Sequence, residues 1–154
     1  MSTPTVPELA PAFDVVVHLG GVDDYGVTRA GHRRIIPILG GTITGEVEAT
    51  ILPGGADWQL VRTDGALEID GRYSARTADG SLLYLQVSGV RSGPPEVLAA
   101  LLAGEDVAPD AYYFRTTLRV ETSAPVLAPL EHAVFVASCL RDAASVRYTA
   151  YRVT

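Results

Sequence analysis

The chain has 154 residues, of which 47% are hydrophobic, 19% charged and 7% aromatic, and its formal net charge is −6. That length buries one substantial core, is short for two ordinary domains, and carries the apolar share of a globular rather than a disordered chain. The acidic balance excludes the clustered cation excess of a nucleic-acid-binding surface. Lysine is absent, so all 12 cations are arginine and chemistry through a lysine Schiff base is excluded. Asparagine is absent too, which leaves Gln59 and Gln86 as the only side-chain carboxamides.

The opening MSTPTVPELAPAF lacks the basic and apolar regions of a secretory signal, and no run reaches the ~18 apolar residues that span a bilayer. A cytoplasmic protein without membrane attachment is expected. Residues 1–11 read as a flexible leader and residues 12–154 as one domain. AFDVVVHL (Ala12 to Leu19) is a β-branched strand, and GGVDDYGVTRAG, rich in turn residues and acids, reads as a loop. HRRIIPI is a strand whose Pro37 requires an edge or a bulge. TITGEVEATIL sets Ile43, Val47, Ala49 and Ile51 against Thr44, Glu46, Glu48 and Thr50, the pattern of a half-buried strand. Strands over Asp57 to Thr63, Leu67 to Thr77 and Ser81 to Val90 follow. Their connections, TDG and ADG, supply the positive φ of tight hairpin turns, so these strands form an antiparallel meander.

GPPEVLAALLAGEDV breaks this pattern as the one clear helix. It has Pro94 or Pro95 at its first position, Glu96 in its first turn, Gly104 at its end and an apolar stripe of Val97, Leu98, Leu101 and Leu102. AYYFRTTLRVET returns to strand, APLEHA to a helical turn, and AVFVASCLR with SVRYTAYRVT closes the chain as a hairpin. The predicted fold is therefore mainly all-β: a single closed antiparallel β-barrel of about eight to ten strands, with one short α-helix across an end or side.

PGGADWQLVR carries the main candidates. Gly54 and Gly55 make a corner, after which alternation puts Asp57, Gln59 and Val61 on one face and Trp58, Leu60 and Arg62 on the other. Trp58 with Leu60 suits a core, and Asp57 with Gln59 a barrel mouth. LEIDGRYSAR opposes Leu67, Ile69, Tyr73 and Ala75 to Glu68, Asp70, Arg72 and Arg76, which a solvated outer face explains. In YYFRTTLRVE one face holds Tyr113, Arg115, Thr117, Arg119 and Glu121. Outside a barrel this is surface charge pairing; inside, it is a cluster that must be paired or functional. His18, His32 and His132 lack ligand spacing, and neither a G-x-S-x-G elbow nor a glycine-rich phosphate loop occurs, so no metal and no cofactor are expected. Arg91, in GVRSGPP, could assist an anion at the helix N-terminus, although two prolines remove donors there. Cys139 has no second cysteine to pair with and reads as a buried structural thiol.

HRRIIPILGGTITGEV, LPGGADWQLVRTDG, DGRYSARTADGSLLY, GVRSGPPEVLAALLAGEDV and YYFRTTLRVET, from about Gly31 onward, resemble the DUF3237 family, also called UPF0311. The resemblance implies a closed barrel similar to those of allene oxide cyclases, whose fold relatives include cofactor-free cyclases. Asp57 and Gln59 match the family's Gly-Gly-Ala-Asp-Trp-Gln, Arg72 and Tyr73 its Arg-Tyr pair, and Tyr84 its strand tyrosine. Arg91 matches its Gly-Val-Arg, Tyr113 to Arg115 its Tyr-Phe-Arg, and Glu121 the acid of its Phe-Glu-Thr. The chain departs from the family at Gln86 to Ser88, where Arg-Asn-Arg is usual, and at Pro129 to Glu131, where Trp-Leu-Asn is usual; such changes fit a less cationic pocket.

The expected function is a cofactor-independent cyclase- or isomerase-type enzyme of secondary metabolism, in which acid/base groups rearrange a small, partly apolar organic molecule. The alternative is a lipocalin-like binding protein without catalysis. Candidate catalytic residues are Asp57, Tyr84, Tyr113, Arg115 and Glu121, with Asp57, Arg115 and Glu121 expected around one interior cavity. Candidate ligand-binding residues are Arg33, Trp58, Gln59, Arg72, Tyr73, Gln86 and Arg91. A homodimer is the expected assembly, with no nucleic-acid partner.

Overall fold

Alternating burial runs along almost every strand, and the sheet that results closes on itself. The computed structural model describes residues 1–154. Its strands are β1 (Leu9–Leu19), β2 (Asp23–Thr28), β3 (Gly31–Gly45), β4 (Ala49–Ile51), β5 (Ala56–Val61), β6 (Leu67–Thr77), β7 (Leu82–Ser92), β8 (Tyr113–Glu121), β9 (Val134–Arg141) and β10 (Ser145–Val153). The ring runs β1, β10, β9, β8, β7, β6, then β4 and β5 sharing one position, then β3, which pairs back onto β1. All pairings are antiparallel, which gives an eight-position closed barrel with two strands to spare.

Closure depends on glycine where β1 and β3 meet. Gly41 has φ +146, and a Cβ there would lie 2.0 Å from the Val16 carbonyl oxygen. Inside the ring a core of 27 buried residues includes Phe13, Val15, Ile43, Leu67, Leu83, Leu85, Leu118 and Phe135. The α-helix α1 (Pro95–Leu102) links β7 to β8 and covers one end of the barrel, with Leu98 and Leu101 turned into the core. The 3-10 segment Pro125–His132 links β8 to β9, and so lies at the opposite end, where Leu130 is buried. No helix is long and apolar enough to cross a membrane.

Three expectations are corrected. The first strand starts at Leu9 rather than Ala12, because Leu9 to Pro11 pair with Tyr151 to Val153 while Glu8 and Thr154 exchange backbone hydrogen bonds. The stretch read as a loop before Gly31 contains β2, held on β3 by backbone pairing and by a contact between Asp24 and His32 across the two strands. Its side chains are exposed or nearly so, and Asp24 accepts the Gly26 N–H at a bulge, so no apolar alternation marks it as a strand. TITGEVEATIL is not one strand: β3 ends at Gly45, φ +123, and β4 folds back onto it, pairing Ile51 with Gly41. Ile43, Val47 and Ile51 are buried all the same, which is why the pattern resembled a continuous strand.

The β1–β3 contact yields a direct test by denaturant midpoint. Gly41→Ala should lose at least about 2 kcal/mol, because backbone must move to admit the methyl group. Gly21→Ala, with no atom within 4 Å of its new methyl, should stay within about 0.5 kcal/mol of the parent. Equal effects at the two sites would show that the seam tolerates side chains.

Candidate functional site

The ladder between β5 and β6 lapses for two residues. Asp57 pairs with Gly71 and Leu60 with Glu68, but Trp58 and Gln59 make no bridge. The Asp70 N–H left free there donates to Asp57 Oδ1 at 3.0 Å, while Gln59 Nε2 donates to Asp57 Oδ2 at 2.8 Å. Both partners hold the carboxyl in the lumen, where it lines a cavity of about 40 Å³. The opposite residue, Gly71, leaves room for it. Most of the remaining wall is apolar, including Val17, Ile38, Ile69, Val87 and Phe114. The polar exceptions are Tyr73, Tyr148, Thr116 and Cys139. Tyr73 and Tyr148 hydrogen-bond to each other through their hydroxyls, and Thr116 Oγ1 lies 3.6 Å from Cys139 Sγ.

Burial governs the proton affinities here. It raises the Asp57 carboxyl above its ordinary 3.8, against the Gln59 and Asp70 hydrogen bonds and the charge of Arg91, all of which pull it down. It also lifts Tyr73 and Tyr148 well above 10, which keeps both hydroxyls protonated. The Cys139 thiol is pushed up to about 11 by burial, so it is a poor nucleophile, consistent with the structural thiol expected.

Of the sequence-derived candidates, the lumen gathers Asp57, Gln59, Tyr73 and Arg91. The others turn outward. Tyr113, Arg115 and Glu121 alternate with buried Phe114, Thr116, Leu118 and Val120, and Tyr113 is 54% exposed. The expected interior position of Arg115 and Glu121 is thus corrected: the apolar half of β8 takes the lumen and leaves solvent to the charges. Arg115 lies over the Tyr113 ring and donates to the Phe114 carbonyl on that outer wall. Tyr84 and Gln86 alternate with buried Leu83, Leu85 and Val87, so they too face out. Arg33, Trp58 and Arg72 meet on the outer wall, where Arg33 donates to the Trp58 carbonyl and Arg72 pairs with Asp70. Trp58, expected in the core with Leu60, is 36% exposed.

The lumen also holds residues that sequence reading missed. Arg34 and Arg141 join Arg91 and Gln59 around a second cavity of about 240 Å³, under the last turn of α1. It takes in Gly20 and Gly21, where β1 stops and β2 leaves the ring. The signal for both arginines was period two: Arg34 continues the buried series Ile38 and Ile36, and Arg141 the series Phe135, Ala137 and Cys139. Arg91 faces this cavity rather than the helix N-terminus. No three His, Cys, Asp or Glu side chains converge to hold a metal.

A single antiparallel barrel with a carboxyl and two tyrosines in its lumen is the class that fold and site define. Residues 7–153 match the family described as "Protein of unknown function (DUF3237)", and the chain belongs to that family. A UPF0311 protein of Bradyrhizobium diazoefficiens is 40% identical over 151 residues, covering 98% of this chain and 99% of its own. The crystal structure of a conserved protein of unknown function from Rhodopseudomonas palustris superposes with a TM-score of 0.92 at 39% identity, covering 99% of this chain and all of that one. A structure described as an enzyme from Penicillium herquei shares the fold at 17% identity, with a TM-score of 0.74 over 100% of this chain and 99% of that one.

Two measurements check this placement. Because the folded state raises the Asp57 pKa above the unfolded 3.8, the folded protein binds that proton more tightly than the unfolded chain does. Its contribution to stability is therefore greatest at low pH and falls as pH rises from about 4 through the raised value. Asp57→Asn should abolish that slope, so denaturation midpoints of parent and variant should diverge, in the variant's favour, as pH rises above about 4; a constant difference counts against a buried Asp57 carboxyl. On the outer wall, Arg115→Leu should change stability by less than about 0.5 kcal/mol, and a larger loss would put Arg115 back among the structural charges.

Proposed function

We propose that the protein is a cofactor-independent enzyme that rearranges a small, partly apolar organic molecule inside the barrel. The observation that carries this reading is the Asp57 carboxyl, buried yet facing a cavity, on the same wall system as a pair of buried tyrosine hydroxyls. A carboxyl raised from its ordinary range is closer to the working pH of a general base or acid. The Gln59 and Asp70 hydrogen bonds hold its orientation, which a proton-transfer group requires. Tyr73 and Tyr148 stay neutral, so one hydroxyl can donate to an oxygen that becomes negative as Asp57 takes a proton from the substrate. Asp57 is then the base and afterwards the acid, and the tyrosines are the oxyanion donors. Cyclisation and isomerisation need nothing else, since the proton that leaves one atom returns to another. The apolar wall excludes water from a reactive intermediate.

The test is incubation of the protein with a library of polyketide- and terpenoid-like ketones and enones, with products followed by mass spectrometry. At least one member should turn over, and Asp57→Asn should slow it by about 100-fold or more. Asparagine can keep the Asp70 contact, and the Gln59 amide can turn its oxygen toward it, so the variant should remain folded. Full activity in Asp57→Asn would remove the reading. Thermal stabilisation by a compound that emerges unchanged would favour a binding protein instead.

A further inference from the structure

The three lumen arginines have no acid among them. Arg34 is 7% exposed and Arg91 3%, yet neither forms an ion pair, nor does Arg141. Nε of Arg34 and Nε of Arg91 have no hydrogen-bond partner, and Gln59 Oε1 beside them has none either. What contacts exist are weak: Arg34 reaches the Leu102 carbonyl at 3.4 Å, at the negative end of α1, Arg141 reaches the Ser145 carbonyl at 3.3 Å, and Arg91 lies over the Phe114 ring. Burial lowers the Arg91 pKa to about 10, helped by the charges of Arg141 and Arg34, so the cluster repels itself while remaining cationic at neutral pH. Buried charges are normally paired, and a buried arginine fork matches a carboxylate in two parallel hydrogen bonds.

The geometry relates this cluster to Asp57. Gln59 follows Asp57 by two residues on β5, Arg141 follows Cys139 on β9, and Arg34 and Ile36 precede Ile38 on β3. Two residues advance a strand by about 6.5 Å, so the arginine cavity is the next layer up the same lumen, with Gln59 lining it and donating to Asp57 in the layer below. We propose that this layer is the seat of an organic anion, a carboxylate held by Arg34, Arg91 and Arg141, whose apolar body extends into the lumen toward Asp57. The inference rests on the enzyme reading above and supplies its substrate class: a small organic acid that enters between the end of β1 and the last turn of α1. Gln59 Oε1 suits a hydroxyl or amide donor on the same molecule. Inorganic phosphate shares the anionic head but not the body, so it separates a plain anion site from a substrate site.

Calorimetry with benzoate, cinnamate and octanoate, each beside its methyl ester, and with inorganic phosphate decides the matter. The acids should bind at least ten-fold tighter than their esters, and phosphate should bind more weakly than the acids. Arg91→Met should erase the preference for acid over ester, while melting no lower than the parent, because it removes a buried charge that has no partner; Arg141→Met serves the same comparison should Arg91→Met fold poorly. Equal binding of acid and ester, no binding of either, or an acid preference that survives in both variants would overturn the carboxylate seat. Phosphate binding as tightly as the acids would overturn its organic part. These outcomes are independent of the Asp57→Asn result: esters that bind the lumen and turn over through Asp57 would leave the enzyme reading standing and sink only the anion seat.

Discussion

Closure of the sheet at the β1–β3 seam decides which side chains this protein keeps inside. β1 pairs with β10 along one edge and β3 along the other, from Phe13 opposite Gly45 to Leu19 opposite Ile38. The two backbones approach so closely that β3 is glycine at its tightest points: a Cβ at Gly45 would lie 2.7 Å from the Ala12 carbonyl oxygen, and one at Gly41 closer still. Once the ring is shut, each strand has a fixed inner face, and slipping any strand by one residue would exchange lumen for solvent along its whole length. That constraint places Asp57, Tyr73 and Arg91 inside. It equally places Arg115, Glu121 and Arg72 outside.

The lumen so defined changes character along its axis. Toward the 3-10 segment it is filled by Phe13, Phe135, Leu83 and Leu85, a packed core without polar atoms to satisfy. Near mid-barrel the tyrosine pair and Asp57 face a cavity, and under α1 the walls carry arginine. The break at Gly20 and Gly21 makes the last step possible. β1 leaves β10 there and the chain resumes as β2 on the edge of β3 alone, so the ring is incomplete at one end. A helix turn rather than a strand covers that gap, and helix ends carry free carbonyls that a guanidinium can meet, as Arg34 does at Leu102. Apolar floor, protonable middle and cationic rim are thus consequences of one interrupted strand.

Much of this was legible residue by residue. The Asp-Gly turns, the Leu67 to Thr77 strand and the Pro-led helix are local signals, and the structure reproduces them because nothing distant competes. The inward face of β5 was legible too, since Gly54 and Gly55 fix where the strand begins and alternation does the rest. β8 was ambiguous for a physical reason: its two faces are Tyr, Arg, Thr, Arg, Glu and Tyr, Phe, Thr, Leu, Val, and only closure of the ring says which is enclosed. Trp58 misled through its size, because a large ring suits a core in general but here shares parity with Arg62 and an outer wall. Arg34 was hidden by Ile35, an apolar neighbour that made both faces of HRRIIPI look buried. β2 had no signal at all, being held by backbone hydrogen bonds under exposed side chains.

Where the local rules are broken, they are broken together. Elsewhere the interior obeys them: the buried hydroxyls pair with each other, the lone thiol packs against Thr116, and the ion pairs at Arg62, Arg72, Arg147 and Arg152 lie toward solvent. Under α1, three buried or half-buried arginines stand without a carboxylate partner, beside a carboxamide oxygen that nothing satisfies. Replacing such groups with apolar residues of similar volume is commonly neutral or stabilising, so their presence is not explained by the stability of the fold. A barrel with a 27-residue apolar core can tolerate that local cost, and sites of function are where such costs concentrate. The same physics bears on Asp57. Its carboxyl feels burial, which favours the proton, and Arg91, which opposes it. An anion that neutralises Arg91 weakens that opposition and so strengthens Asp57 as a proton acceptor, which links occupancy of the cationic rim to the basicity of the group one layer below.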